Sequence, residues 1–138
     1  MGEISLTRIV KPKNISKVLV LQGGLSEEKE VSESTAASCI EALKRINFDV
    51  EAVSINSANM HELAKIVKVK NPDVIFNALH GGIGENGTIQ GLFETLRTPY
   101  THSGVLSSAI AMDKFVSKKI FKSSGLPVIE DLLLNKED

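Results

Sequence analysis

The sequence predicts an α/β fold, a mostly parallel sheet flanked by helices. Three observations carry that expectation. Two short runs, Val18-Leu19-Val20-Leu21 and Val74-Ile75-Phe76-Asn77-Ala78, have the length and β-branched content of strands buried on both faces. The stretches that follow strands carry apolar residues at helical spacing. The resulting order, β-α-β-α-β-α-β-α-β with short connections, argues right-handed crossovers between parallel strands.

Residues 1–16 have no clear period and read as an extension. The first strand begins at Lys17 and is ended by Gly23-Gly24. A helix is expected from about Glu28 to Ile46, with Val31, Ala36, Ile40, Leu43 and Cys39 inward. Glu27, Glu28 and Glu30 crowd its first turn and Lys44-Arg45 its last, which suits the helix dipole at both ends. Asp49 to Ile55 reads as the second strand, and Met60 to Val69 as a helix with Leu63, Ile66 and Val67 inward. The third strand, Val74 to Ala78, leads through a glycine-rich loop to a helix whose Ile89, Leu92, Phe93 and Leu96 share a face. Pro99-Tyr100-Thr101 predicts a short strand and Val105 to Lys122 one long helix, with Ala109, Met112, Phe115, Val116 and Ile120 on its apolar side. Gly125 suits a helix C′ position, Pro127 stops any continuation, and Val128 to Leu134 reads as a further strand.

The bulk numbers describe one globular domain. The 138 residues are 42% hydrophobic and 24% charged, with net charge −1. That balance gives no electrostatic reason to expect nucleic acid or an anionic membrane surface. No apolar run approaches the roughly 20 residues of a membrane span. The amino terminus has no secretory pattern, and Met1-Gly2 is followed by Leu6 where a myristoylation signal has Ser or Thr. The single Cys39 forbids an intrachain disulfide and, lying among Ala36, Ala37 and Ile40, reads as a packed thiol. Together these features predict a cytoplasmic protein.

Three segments could carry chemistry. At the end of the first strand, Gln22-Gly23-Gly24-Leu25-Ser26-Glu27-Glu28 combines a sharp turn, a capping serine and carboxylates over the carboxyl edge of the sheet. It is neither a G-x-G-x-x-G fingerprint nor a Walker loop, and its acids can equally be ordinary first-turn residues. The second is His80-Gly81-Gly82-Ile83-Gly84-Glu85-Asn86-Gly87, between a strand end and a helix N-terminus, where ligands and anionic groups bind in open α/β sheets. Its alternative is a histidine bonded to nearby backbone within a supported turn. A metal site is the weaker reading, because His61, His102 and the acids have no ligand spacing. The third is Met112-Asp113-Lys114, where a helix lysine is either a solvated charge or a contact for an anion.

Taken together, Gly-Gly-Leu-Ser-Glu-Glu-Lys-Glu-Val-Ser at 23–32, Leu-His-Gly-Gly-Ile-Gly-Glu-Asn-Gly-Thr-Ile-Gln-Gly at 79–91, Pro-Tyr-Thr-His-Ser-Gly-Val at 99–105 and Met-Asp-Lys at 112–114 closely resemble the amino-terminal part of D-alanine–D-alanine ligases. The likeness covers about residues 17 to 134 and implies a Rossmann-like, pre-ATP-grasp lobe. It implies that Glu28 orients the ammonium of the first D-alanine, that Val31 lines the same pocket, and that His80 lies near the substrate carboxylate. It implies that Lys114 reaches ATP as a point charge for phosphate. Glu28 is the catalytic candidate; Glu28, Val31 and His80 are the substrate-binding candidates. The resemblance further implies the family reaction, in which ATP phosphorylates one D-alanine and a second attacks the acyl phosphate to give the dipeptide for peptidoglycan. Two Mg²⁺ ions (or Mn²⁺) and a homodimer come with it. The sequence departs from the family pattern at Leu25 (usually Thr), at Gly82-Ile83, at Asn86 (usually Asp) and at His102 (often Gly).

The resemblance divides the chain into residues 1–16, an extension; 17–104, the amino-terminal domain; and 105–138, a connecting helix and the first elements of a central ATP-grasp domain. The family enzyme is more than twice this length. The expectation is therefore an amino-terminal, substrate-binding part that is inactive alone, with the metal ligands absent from these residues. The competing expectation is a stand-alone, non-catalytic α/β module that binds a small molecule or a protein.

Overall fold

A computed structural model describes residues 14–132 and 134. The 1–13 portion of the expected extension, and residues 133 and 135–138, lie outside the described residues. Three strands form one parallel sheet in the order β2-β1-β3: β1 Lys17–Gly23, β2 Asp49–Ile55 and β3 Val74–Asn77. The register pairs Leu19 with Glu51 on one side and with Ile75 on the other. The helices are α1 Lys29–Arg45, α2 Met60–Lys70, α3 Thr88–Thr95, α4 Val105–Met112 and α5 Lys114–Ser123.

The central strand explains the architecture. Val18 to Leu21 are buried, with Leu19 to Leu21 fully so, as a run lacking polar alternation requires of a strand covered on both faces. Leu19 and Leu21 pack with Leu63 and Val67 of α2 and Ile89 and Phe93 of α3. Val18 and Val20 pack on the other face with Ala36, Ile40 and Leu43 of α1. Helices on both faces and parallel strands between them are the layers the sequence predicts.

Five local expectations are corrected. Val31 is 53% exposed, and Ser32 takes the inward place beside Ala36 on α1. The Pro99–Thr101 segment contributes only an isolated bridge, Ile75 to Tyr100, to the edge of β3. The long helix after Gly104 is two helices, broken at Asp113, whose φ −93° and ψ 98° are extended. The cause is local: the Asp113 side chain accepts a hydrogen bond of 2.9 Å from Val116 N and starts α5 afresh. Residues 128–132 and 134 form no strand, and Ile129, Leu132 and Leu134 are exposed. Cys39 is half-buried and not fully packed.

The end of α5 follows the sequence. Gly125 has φ +76°, its N–H donates to Lys122 O and Leu126 N–H donates to Phe121 O, which together form a Schellman motif.

Candidate functional site

The site forms where β1 and β3 end at the carboxyl edge of the sheet. Gly23 (φ +84°) and Gly24 (φ +116°) turn the chain out of β1, and a Cβ at Gly23 would stand 3.1 Å from Ile55 O. Only glycine combines that φ with such close backbone approach. Gly24 N–H bonds Ile55 O at 2.8 Å, so the turn is tied to the neighbouring strand. The chain then reaches Glu28, which caps α1 with its backbone while its side chain makes no capping bond. Its carboxylate lies over the other loop instead: a Cβ built at Gly81 would stand 2.6 Å from Glu28 Oε2. Gly81, at φ 68° and ψ 171°, occupies backbone space essentially closed to other residues.

Side chains of α1 and its entry loop stitch the 78–81 segment in place. Ser26 Oγ donates to His80 O at 2.9 Å, and Ser32 Oγ donates to Ala78 O at 2.7 Å. Thr35 Oγ1 lies 3.2 Å from His80 Nε2. Glu28, Ser32 and Thr35 stand at i, i+4 and i+7 and so share one helix face.

The outer half of the loop is closed from inside. Asn77 Nδ2 and Gln90 Nε2 both donate to Gly84 O, at 2.8 and 2.9 Å. Asn77 Oδ1 accepts from Leu79 N–H. A Cβ at Gly84 would meet Leu79 Cβ at 2.6 Å. Asn86 Oδ1 accepts from Thr88 N–H and so supports the entry to α3.

His80 faces two hollows. One, of about 340 Å³, is bordered by Thr35, Asn77, Glu85, Gln90 and His102. The other, of about 210 Å³, lies between residues 24–26 and 79–84. A carboxylate and an imidazole on adjacent loops, beside a helix N-terminus, can hold a small zwitterion.

The structure brings together Glu28 and the His80 loop, two of the segments singled out in the sequence. Val31 lies one turn on from Glu28 and is solvent-exposed. Lys114 is exposed at the first position of α5 and borders a separate hollow with Asp113, Asp131 and Leu132. Among the described residues, no group of three or more His, Cys, Asp or Glu could hold a metal ion. Sequence reasoning missed Thr35, Asn77 and Gln90. A signal existed for Gln90, a polar residue on the inward face between Ile89 and Phe93, and for Thr35, two turns from Glu28 on its face.

The chain is similar to known proteins. Residues 56–103 match the family model described as D-ala D-ala ligase N-terminus. The D-alanine–D-alanine ligase of Jannaschia sp. (strain CCS1) is 51% identical over 124 residues, which are 88% of this chain and 39% of that protein. The chain thus spans about two-fifths of the length of the curated relatives it matches. Two crystal structures of the D-alanine–D-alanine ligase from Bacillus anthracis are also similar. One is 39% identical with a TM-score of 0.69, covering 80% of this chain and 35% of that one. The other, complexed with ATP, is 37% identical with a TM-score of 0.70, covering 88% and 43%. Sequence, family model and fold agree that the chain matches the amino-terminal region of these ligases.

Proposed function

We propose that the chain is the amino-terminal, substrate-holding part of a D-alanine–D-alanine ligase, which joins two D-alanines with ATP for peptidoglycan. One observation carries the reading: the free carboxylate of Glu28 lies against Gly81, next to His80. D-Alanine is a zwitterion, and each end finds a partner there. The Glu28 carboxylate accepts from the ammonium and orients it. His80 serves the substrate carboxylate, with Val31 at the rim of the same site. Residues 17–104 form the holding lobe; 105–138 are the connecting helices and the start of the next domain.

In this reading Lys114 gives ATP a point charge for phosphate, and ATP supplies the phosphoryl group that activates a carboxylate. Mg²⁺ or Mn²⁺ enters only through the family: no acid set among the described residues fits it. A cytoplasmic homodimer is the corresponding assembly.

Calorimetric titration of D-alanine tests the reading. Binding is expected to the wild-type chain, and Glu28→Gln, which keeps the size and removes the charge, is expected to weaken it about tenfold or more. D-Alanine binding indifferent to Glu28, or no binding at all, would overturn it.

A further inference from the structure

We propose that Thr35 is a positioning residue for His80, fixing the imidazole as the tautomer whose Nδ1 carries the proton. The inference rests on the reading of the site given above only for its consequence, the hydrogen bond offered to a substrate carboxylate.

The geometry leaves one ring nitrogen for a ligand. The His80 carbonyl is occupied by Ser26 Oγ, and Nε2 lies 3.2 Å from Thr35 Oγ1. A neutral imidazole has one N–H and one acceptor nitrogen. The direction of the Thr35 bond therefore decides where the proton sits. Hydroxyls on helices commonly donate to a nearby carbonyl. Ser38 does so to Ser34 O, Thr95 to Gly91 O, and Ser32 to Ala78 O. Thr35 has no carbonyl among its hydrogen bonds, so its proton is free for Nε2. With Nε2 accepting, the ring proton is on Nδ1, and His80 can donate to an anion while uncharged.

The surroundings make that neutral donor useful. Glu28 stands over Gly81, and Glu85 and His102 border the hollow that His80 faces. The α3 residue that borders that hollow is the neutral Gln90. A neutral donor held by Thr35 can serve the carboxylate end of a zwitterion. The stitching also explains the placement of Thr35 seven residues after Glu28: one helix face sets the acceptor for the amine and the orientation of the donor for the carboxylate.

Long-range ¹H–¹⁵N correlation of the uniformly labelled 138-residue chain at about pH 9, where ordinary imidazoles are neutral, reads the tautomer directly. The wild-type His80 signals are expected in the Nδ1–H pattern. An Nε2–H pattern, or an averaged mixture, would overturn the proposal, and this needs neither a variant nor a ligand. Thr35→Val is expected to move His80 toward the Nε2–H pattern and to weaken D-alanine about three- to tenfold, whereas Thr35→Ser keeps both as in the wild type. A Thr35→Val chain with unchanged His80 signals would also overturn it. If wild-type D-alanine binding is absent, the functional reading above fails, while the wild-type spectrum still decides the role of Thr35.

Discussion

At the scale of single residues, the site depends on a few backbone conformations that side chains cannot share. Gly81 is the clearest. Gly81→Ala would force a methyl into closed φ/ψ space and displace the Glu28 carboxylate, the movable end of a flexible chain. The expected cost is about 1–3 kcal/mol of stability, with D-alanine affinity lost beyond what Glu28→Gln alone removes; thermal melts and calorimetry measure the two effects separately. Gly87→Ala meets backbone instead, because its Cβ would lie 2.8 Å from Val105 O at φ +93°. His102 illustrates the opposite case. It has φ +79° where the resembling family often has Gly, and it is held there by a 2.8 Å contact to Thr101 Oγ1 and an edge-on ring contact with Phe76. The departure His102 makes from the family pattern is thus a tolerated side chain in a glycine conformation.

At the scale of elements, caps and a cross-element ion cluster decide the joints. Asp113→Ala removes the cap of α5 and is expected to lower stability by about 1 kcal/mol in urea unfolding, with the loss of helicity confined to residues 114–123. Glu51 of β2 joins Lys17 of β1 and Lys70 of α2. The Lys70 hydrogen bond first, and Lys17 next, hold its carboxyl below its ordinary value of 4.5. A lowered folded-state pKa contributes stability that is present above 4.5 and lost as pH falls through the folded value. Urea unfolding between pH 6 and about pH 3 is therefore expected to show a smaller acid loss in Glu51→Gln than in the wild type; equal slopes would remove Glu51 from the account. Elements also show what was legible in the sequence. β1 and the inward faces of α2 and α3 were readable because an apolar period of one kind runs through each. The break at Asp113 was not, since the apolar residues keep helical spacing across it and the interruption comes from one side chain bonding its own backbone. The edge segment at Tyr100 was over-read for a related reason: two backbone bonds to Ile75 satisfy it without a ladder. Of the site, the glycines, Glu28 and His80 were legible as local patterns; Thr35 shares the face of Glu28 but its partner lies 45 residues away, and Asn77, acting across 7 residues, had no local mark.

At the scale of the whole molecule, burial is uneven. Val18–Leu21 of β1 are enclosed, whereas α5 buries only Ser117, and Phe121, Leu126, Ile129 and Leu132 are exposed. Amide hydrogen exchange is expected to be slowest at Leu19–Leu21 and much faster throughout 114–123. The apolar residues of 106–134 are expected to give concentration-dependent self-association in sedimentation velocity, suppressed by a double substitution such as Phe121→Ser with Ile129→Ser. On the proposed reading, in which Glu28 and His80 hold a substrate without activating it, the chain alone is expected to release no phosphate from ATP in the presence of D-alanine; measurable D-alanine-dependent release would contradict that division of labour. The double anchoring of the Gly84 carbonyl bears on the thermodynamics of association. With Asn77 and Gln90 both donating to that one oxygen, and Leu79 packed against Gly84, the loop is held in one shape without a ligand. Immobilising a side chain on binding ordinarily costs about 0.5–1.5 kcal/mol. Here that cost is met during folding, so even a ligand of six heavy atoms, with few contacts to offer, meets a receptor that has almost no disorder left to lose.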